Sequence, residues 1–249
     1  MQGWKLFKHA IGMIVRNWRE AARIFLVLSL IGVVVLGLFV ALMFTSMSHA
    51  GMAATPQLTR ILMFLGVFVV TALLATWCVV AWHRFVMLEE MPQGWIPPFH
   101  KAQIFAYWGQ IFKLSLAALL VVAPAGFVLM LIVKASPVLG VLIGIPAYFI
   151  AVLALMRLSV TLPAAAVGKP VTFSQAFEAT TKSWGALLLM ILLLAGLQIL
   201  TQSAAAGLAL VSPPLSVVLN LATTIFVSLL NISILTTLYG HYVEGRSID

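Results

Sequence analysis

His83, Glu89, Glu90, His100, His241 and Glu244 are the side chains whose types could do chemistry in this chain. Imidazoles and carboxylates held together bind divalent metals or trade protons as acid and base. Their spacing argues against both. His241 and Glu244 stand three apart, but no HExxH, CxxC, GxSxG or Walker loop accompanies them. The set reads instead as polar residues at the ends of apolar segments. No catalytic residue, metal site or cofactor is expected.

A second constellation is uncharged. Gln198 and Gln202 lie one helical turn apart, and Asn220, Thr224, Ser228 and Asn231 run down one face of the last apolar segment. In hydrocarbon such groups must find hydrogen-bond partners. Interhelical bonding, worth about 0.6–2 kcal/mol per contact, is the simpler reading. A polar path for a facilitative transporter or channel is the alternative. No Asp, Glu or Lys sits near the middle of any apolar segment. Arg157 comes nearest, close enough to one end to snorkel. Proton-coupled carriers and pumps usually need an intramembrane carboxylate or histidine, so coupled transport is disfavoured.

The elements that must position these residues are membrane spans. Of 249 residues, 63% are hydrophobic and 8% charged, with a mean hydropathy of +1.15. Soluble domains are about half apolar and a quarter charged, so a water-soluble enzyme and a DNA-binding domain are excluded. Six runs have the ~20-residue length that crosses a bilayer as helix: Ile24–Phe44, Ile61–Trp82, Ile111–Val133, Val138–Val160, Ala186–Ala206 and Ser216–Tyr239. The expected fold is an all-α, six-span transmembrane bundle forming one integral membrane domain over 1–249. Pro124 and Pro146 fall inside the third and fourth spans and predict kinks. Gly140 and Gly144 form GxxxG, and Ala147, Ala151 and Ala154 extend that small-residue face. Such a face lets two backbones approach closely, which predicts the fourth span as the most closely packed helix.

Charge sets the expected orientation. Among the fourteen Lys and Arg, only Arg60 and Lys134 fall in connectors on one side. The rest, with all six acids, fall on the other. Basic loops stay cytoplasmic, so both termini are expected inside, in a bacterial inner membrane. The first apolar run is too long, and its flank too polar, for a cleaved signal peptide, although Ser48-His49-Ala50 resembles a cleavage site. The net charge of +8 suits anionic headgroups rather than nucleic acid. The lone Cys78 lies in an apolar run and reads as packing.

Ahead of the first span, Trp4, Phe7, Ile11, Ile14, Val15 and Trp18 fall on one helical face. This predicts a helix lying in the headgroup plane, with Trp4, Lys5, Lys8, Arg16, Trp18 and Arg19 touching lipid headgroups. Phe7/Ala10, Phe99/Ala102 and Phe173/Ala176 repeat a Phe-x-x-Ala pattern, each followed by a tryptophan: Trp18, Trp108 and Trp184. Arg84, Arg157 and His241 recur at the ends of the paired spans. Three hairpin repeats are expected, over 1–95, 96–168 and 169–249.

The stretches Thr236–Arg246, Ala81–Glu90 and Leu162–Gly168 resemble an uncharacterised group of polytopic inner-membrane proteins from photosynthetic-type alphaproteobacteria. The plan of interfacial helices before hairpins is similar to the membrane domain beside some glycerophosphodiester phosphodiesterases. That resemblance implies a membrane fold and transfers no activity, because the soluble catalytic domain is missing from this sequence. The expected role is non-enzymatic: a scaffold, assembly factor or accessory subunit for other membrane proteins or lipid. A lipid-active membrane enzyme using the His/Glu set is the remaining alternative.

Overall fold

The computed structural model describes residues 2–50 and 57–248, with backbone alone at 45–50. Among the described residues all regular structure is α-helical. In chain order the helices are α1 (Gln2–Arg16), α2 (Trp18–Ala50), α3 (Gln57–Leu88), α4 (Lys101–Ala135), α5 (Pro137–Ser159), α6 (Thr161–Ala166), α7 (Phe173–Ala179), α8 (Trp184–Val211) and α9 (Pro213–Tyr242). Six stretches are long and apolar enough to cross a membrane: Trp18–Phe44, Gln57–Leu88, Lys101–Ala135, Pro137–Ala166, Trp184–Val211 and Pro213–Tyr242. Each expected span lies inside one of them. The first expected connector, Met47–Thr59, and the Ser48-His49-Ala50 stretch lie largely outside the described residues and side chains.

Local chemistry sets several boundaries. Ser136 caps α5 by accepting from the Leu139 N–H, with Pro137 at the first helical position. Thr172 and Gln175 form a reciprocal capping box at α7. Glu89 adopts φ +56, which turns the chain out of α3. Pro124 and Pro146 sit within α4 and α5. The three expected interfacial helices take three forms. α1 is separate, α7 is a seven-residue piece, and the second is continuous with its span, since α4 runs from Lys101 without a break. No strong breaker stands between Phe99 and Pro124, whereas Thr-Thr-Lys-Ser at 180–183 interrupts α7 from α8.

The chain divides into two compact units, Met1–Arg16 with Ala106–Asp249, and Asn17–Phe105. These boundaries differ from the hairpin boundaries at 95 and 168, because α1 is seated on α8 and α9. In the smaller unit, α2 and α3 form a hairpin whose core gathers at one end. Ile24, Leu28, Cys78, Val80, Trp82 and Phe85 are buried there, and the Phe25 ring meets that of Trp82 edge-on at 6.1 Å. The Cys78 thiol points to the Ile24 carbonyl at 3.7 Å, as a packing residue does. In the larger unit, α8 and α9 form the central hairpin.

The fourth span is not the most closely packed. Gly140 is buried where a Cβ would collide with Val133, and a Cβ at Gly144 would crowd a Leu129 methyl at 3.1 Å. Those contacts join α5 to α4 just across the Ser136 turn. Beyond them Ala147 is exposed and Ala151 and Ala154 are only half-buried. Small residues permit close approach without compelling it, and the face beyond Gly144 is only partly covered.

Candidate functional site

Buried polar side chains of the larger unit concentrate at the end where α5, α6, α7, the start of α8, the end of α9 and α1 meet. The seating of α1 begins this site. Its buried face is Gly3, Leu6, Phe7, Ala10, Met13 and Ile14, turned toward α8 and α9. Trp4, Val15 and Trp18 are exposed. The apolar face assigned from sequence to lipid is therefore split: Phe7 and Ile14 cover protein and Ile11 is half-buried. Trp4, Lys5, Lys8, Arg16, Trp18 and Arg19 are all exposed, and the Arg19 guanidinium lies 5.5 Å from the Trp18 ring. At the start of α1, the Gln2 amide meets the His241 ring, Nε2 to Nε2, at 2.9 Å.

Arg157 is the second component. It does not snorkel: it is only 2% exposed. Its guanidinium turns inward under α7, donating from Nε to Thr180 Oγ1 at 3.1 Å and to the Phe177 carbonyl. It lies 3.5 Å from the Phe177 ring centroid and 5.0 Å from that of Trp184. The flat cation thus bonds the free carbonyl end of a short helix while two aromatic faces cover it. No carboxylate pairs with it among the described residues.

Glu244 is the third. Its carboxylate takes Lys169 Nζ at 3.2 Å, Arg246 at 2.8 Å and the Tyr239 hydroxyl at 3.2 Å. Gly245, at φ +70, turns the chain so that the Arg246 N–H reaches the Gly240 carbonyl. A side chain there would be strained, which explains the glycine. Burial pushes the Glu244 carboxyl up, but hydrogen bonds from Lys169 and Arg246, with their charges, outweigh it and hold the group below the ordinary carboxylate range. The contribution is therefore full above the unfolded-chain value and disappears as pH falls through the lower folded value. We expect the thermal midpoint in detergent to drop over that acidic window, and Glu244→Gln to flatten the dependence. An unchanged acid profile in the variant would show that Glu244 does not carry it.

The smaller unit has its own polar cluster. Glu90 bridges Arg84 (Oε2 to Nε, 2.7 Å) and His100 (Oε1 to Nε2, 2.5 Å). Trp77 Nε1 donates to the Pro98 carbonyl at 3.1 Å, and its ring meets Phe99 edge-on at 4.8 Å. These contacts fold the 89–100 segment back on its hairpin. Buried Pro92 and Pro97 stiffen it.

The sequence-level His/Glu set thus separates. His83, Glu89, Glu90 and His100 belong to one unit, and His241 and Glu244 to the other. Glu90 and His100 meet, but His241 binds Gln2 and the Arg246 carbonyl rather than Glu244. Among the described residues, no three His, Cys, Asp or Glu come together as a metal site. Residue type and spacing do not mark Arg157, Thr180 and Lys169 as partners. Their links join positions 23 and 75 residues apart in sequence, where periodicity gives no signal.

The amide stripe lies away from these clusters. Gln198, Gln202, Thr224, Ser228 and Asn231 are exposed and Asn220 is half-buried. Gln198 and Asn231 border one groove of about 430 Å³, otherwise apolar, between α5, α8 and α9. Its lining runs over about two helical turns on α8 and on α9 and one on α5, some 12 Å against the ~30 Å of a bilayer's hydrocarbon. The six residues do not line a continuous path. Comparison with protein-family models, curated proteins and solved structures returned no match.

Proposed function

We propose that this chain is a non-enzymatic, multi-pass protein of a bacterial inner membrane. Both termini are cytoplasmic, and it serves as a scaffold, assembly factor or accessory subunit for other membrane proteins or lipid. The observation that carries this reading is where the spans are covered. Within each unit the polar clusters and most buried residues gather at one end of its spans. Long apolar stretches such as Val138–Ile150 and Leu215–Ile225 are largely exposed, with Leu210 90% exposed. Such surface in a membrane meets acyl chains or another protein's spans. The basic, exposed face of α1 suits anionic headgroups at the cytoplasmic side. The short, sideways groove at Gln198 gives transport little support.

The decisive experiment is purification in mild detergent with identification of everything that co-purifies. We expect stoichiometric membrane proteins or bound lipid. Recovery free of both would overturn the proposal. Orientation is tested in a Cys78→Ser background with Ser212→Cys and Ser247→Cys. An impermeant reagent should label 212 and spare 247 in intact cells; the reverse would overturn the topology.

A further inference from the structure

The amides of the last two spans gather on one flank. Ser216 Oγ donates to the Ala205 carbonyl at 2.8 Å, which fixes the antiparallel register of α8 and α9. In that register Gln198 is level with residues 223–224, and Gln202 with 219–220. At 100° per residue, Gln198 and Gln202 lie on the flank of α8 that carries Ile191 and Ala195. Thr224, Ser228 and Asn231 lie on the matching flank of α9, since Ile191, Ala195, Gln198 and Asn231 border the same groove. Gln198 stands at the middle of α8, hence at mid-bilayer depth. Among the described residues, the side-chain amides of Gln198, Gln202 and Asn220 have no hydrogen-bond partner. Asn231 donates only to the Val227 carbonyl, one turn back. Carboxamides facing hydrocarbon unpaired are costly.

We propose that this flank is a contact between two copies of the chain. A carboxamide both donates and accepts, so a stripe of amides is complementary to itself, whereas a lipid tail offers nothing to bond. Two copies inserted with the same orientation hold each stripe residue at the same depth as its counterpart. A two-fold axis along the membrane normal therefore brings Gln198 against Gln198 and Gln202 near Gln202. α5 contributes Val152 and Met156 to the groove, whose lining stops short of Gln202 and Asn220, and Gln202 is exposed to a partner. The contact is between copies and does not rest on any foreign partner being found.

The test uses full-length protein in native membranes and a Cys78→Ser background. Gln198→Cys should cross-link to a dimer under mild oxidation, and Leu200→Cys, on the far side of α8, should not. Separately, Gln198→Leu with Gln202→Leu should insert and fold, since leucine suits lipid. Its dimer dissociation constant, measured by in-membrane energy transfer, should rise about ten-fold or more. Equal cross-linking at both positions, cross-linking at 198 only to a different protein, or a double variant that dimerises as the wild type does would each overturn the proposal.

Discussion

Arg157→Ala is expected to be among the most destabilising single substitutions in this chain, at about 2–4 kcal/mol. The guanidinium is enclosed, so its loss opens a cavity beneath α7. The Phe177 carbonyl, at the open end of that helix, loses its charged donor and keeps only the Thr180 and Thr181 hydroxyls. Thr180 keeps its own bond to the Ala176 carbonyl at 2.7 Å and suffers less. The Phe177 and Trp184 rings lose the cation they face, an interaction worth about 0.5–2 kcal/mol. Arg157→Lys keeps the charge but has neither the planar fork nor the stacking surface, so it should recover less than half of the loss. Arg157→Met fills the volume without the bonds. Denaturation in mixed micelles, with hydrogen exchange over 173–184, reads both effects. If the methionine variant matches wild type in stability and in exchange at α7, the polar fork is not what holds this helix.

Gly3 is expected to be nearly as sensitive, through steric exclusion rather than chemistry. A Cβ at Gly3 would lie 2.6 Å from the Ala186 carbonyl oxygen and 3.0 Å from the Ala186 Cα. Both are backbone atoms of α8 and cannot swing aside as a side-chain tip would. Gly3→Ala should therefore cost about 1–3 kcal/mol, and Gly3→Leu should unseat α1. Unseating breaks the Gln2–His241 bond and uncovers Leu6 and Ala10, both fully buried. Gly12 supplies the control. A Cβ there meets only the Arg16 side chain, at 3.6 Å, so Gly12→Ala should stabilise α1 by about 0.5–1 kcal/mol through helix propensity alone. Hydrogen exchange across 2–16 separates the two: protection lost in Gly3→Leu and kept in Gly12→Ala. Unchanged protection in Gly3→Leu would show that α1 is not held by this approach.

The six spans and the all-helical class were legible before any coordinates. A ~20-residue apolar run must satisfy its backbone internally, and a helix does that without reference to its neighbours. The span limits were drawn a few residues short because polar and aromatic residues such as Trp18, Glu20 and Trp184 continue helices past the hydrocarbon. Cys78 as a packing residue followed from its apolar surroundings. Span-level regularities of this kind are local, and composition and periodicity carry them.

The clusters were not local. Glu244 meets Lys169, Gln2 meets His241, and Arg157 meets the carbonyl end of a helix twenty residues on. The sequence grouped histidines and glutamates by type, and folding separated them. It gave the face of α1 to lipid, although amphipathicity alone cannot distinguish a lipid surface from a protein one. It read Arg157 as snorkelling because an arginine near a span end has water within reach. It read Gly140 to Ala154 as the closest packing because small residues allow approach without compelling it. By itself the sequence determined how many helices can enter a membrane and which side chains lack a local partner. Which of those side chains then find one another depends on the relative placement of helices, and contacts between side chains distant in the chain set that placement.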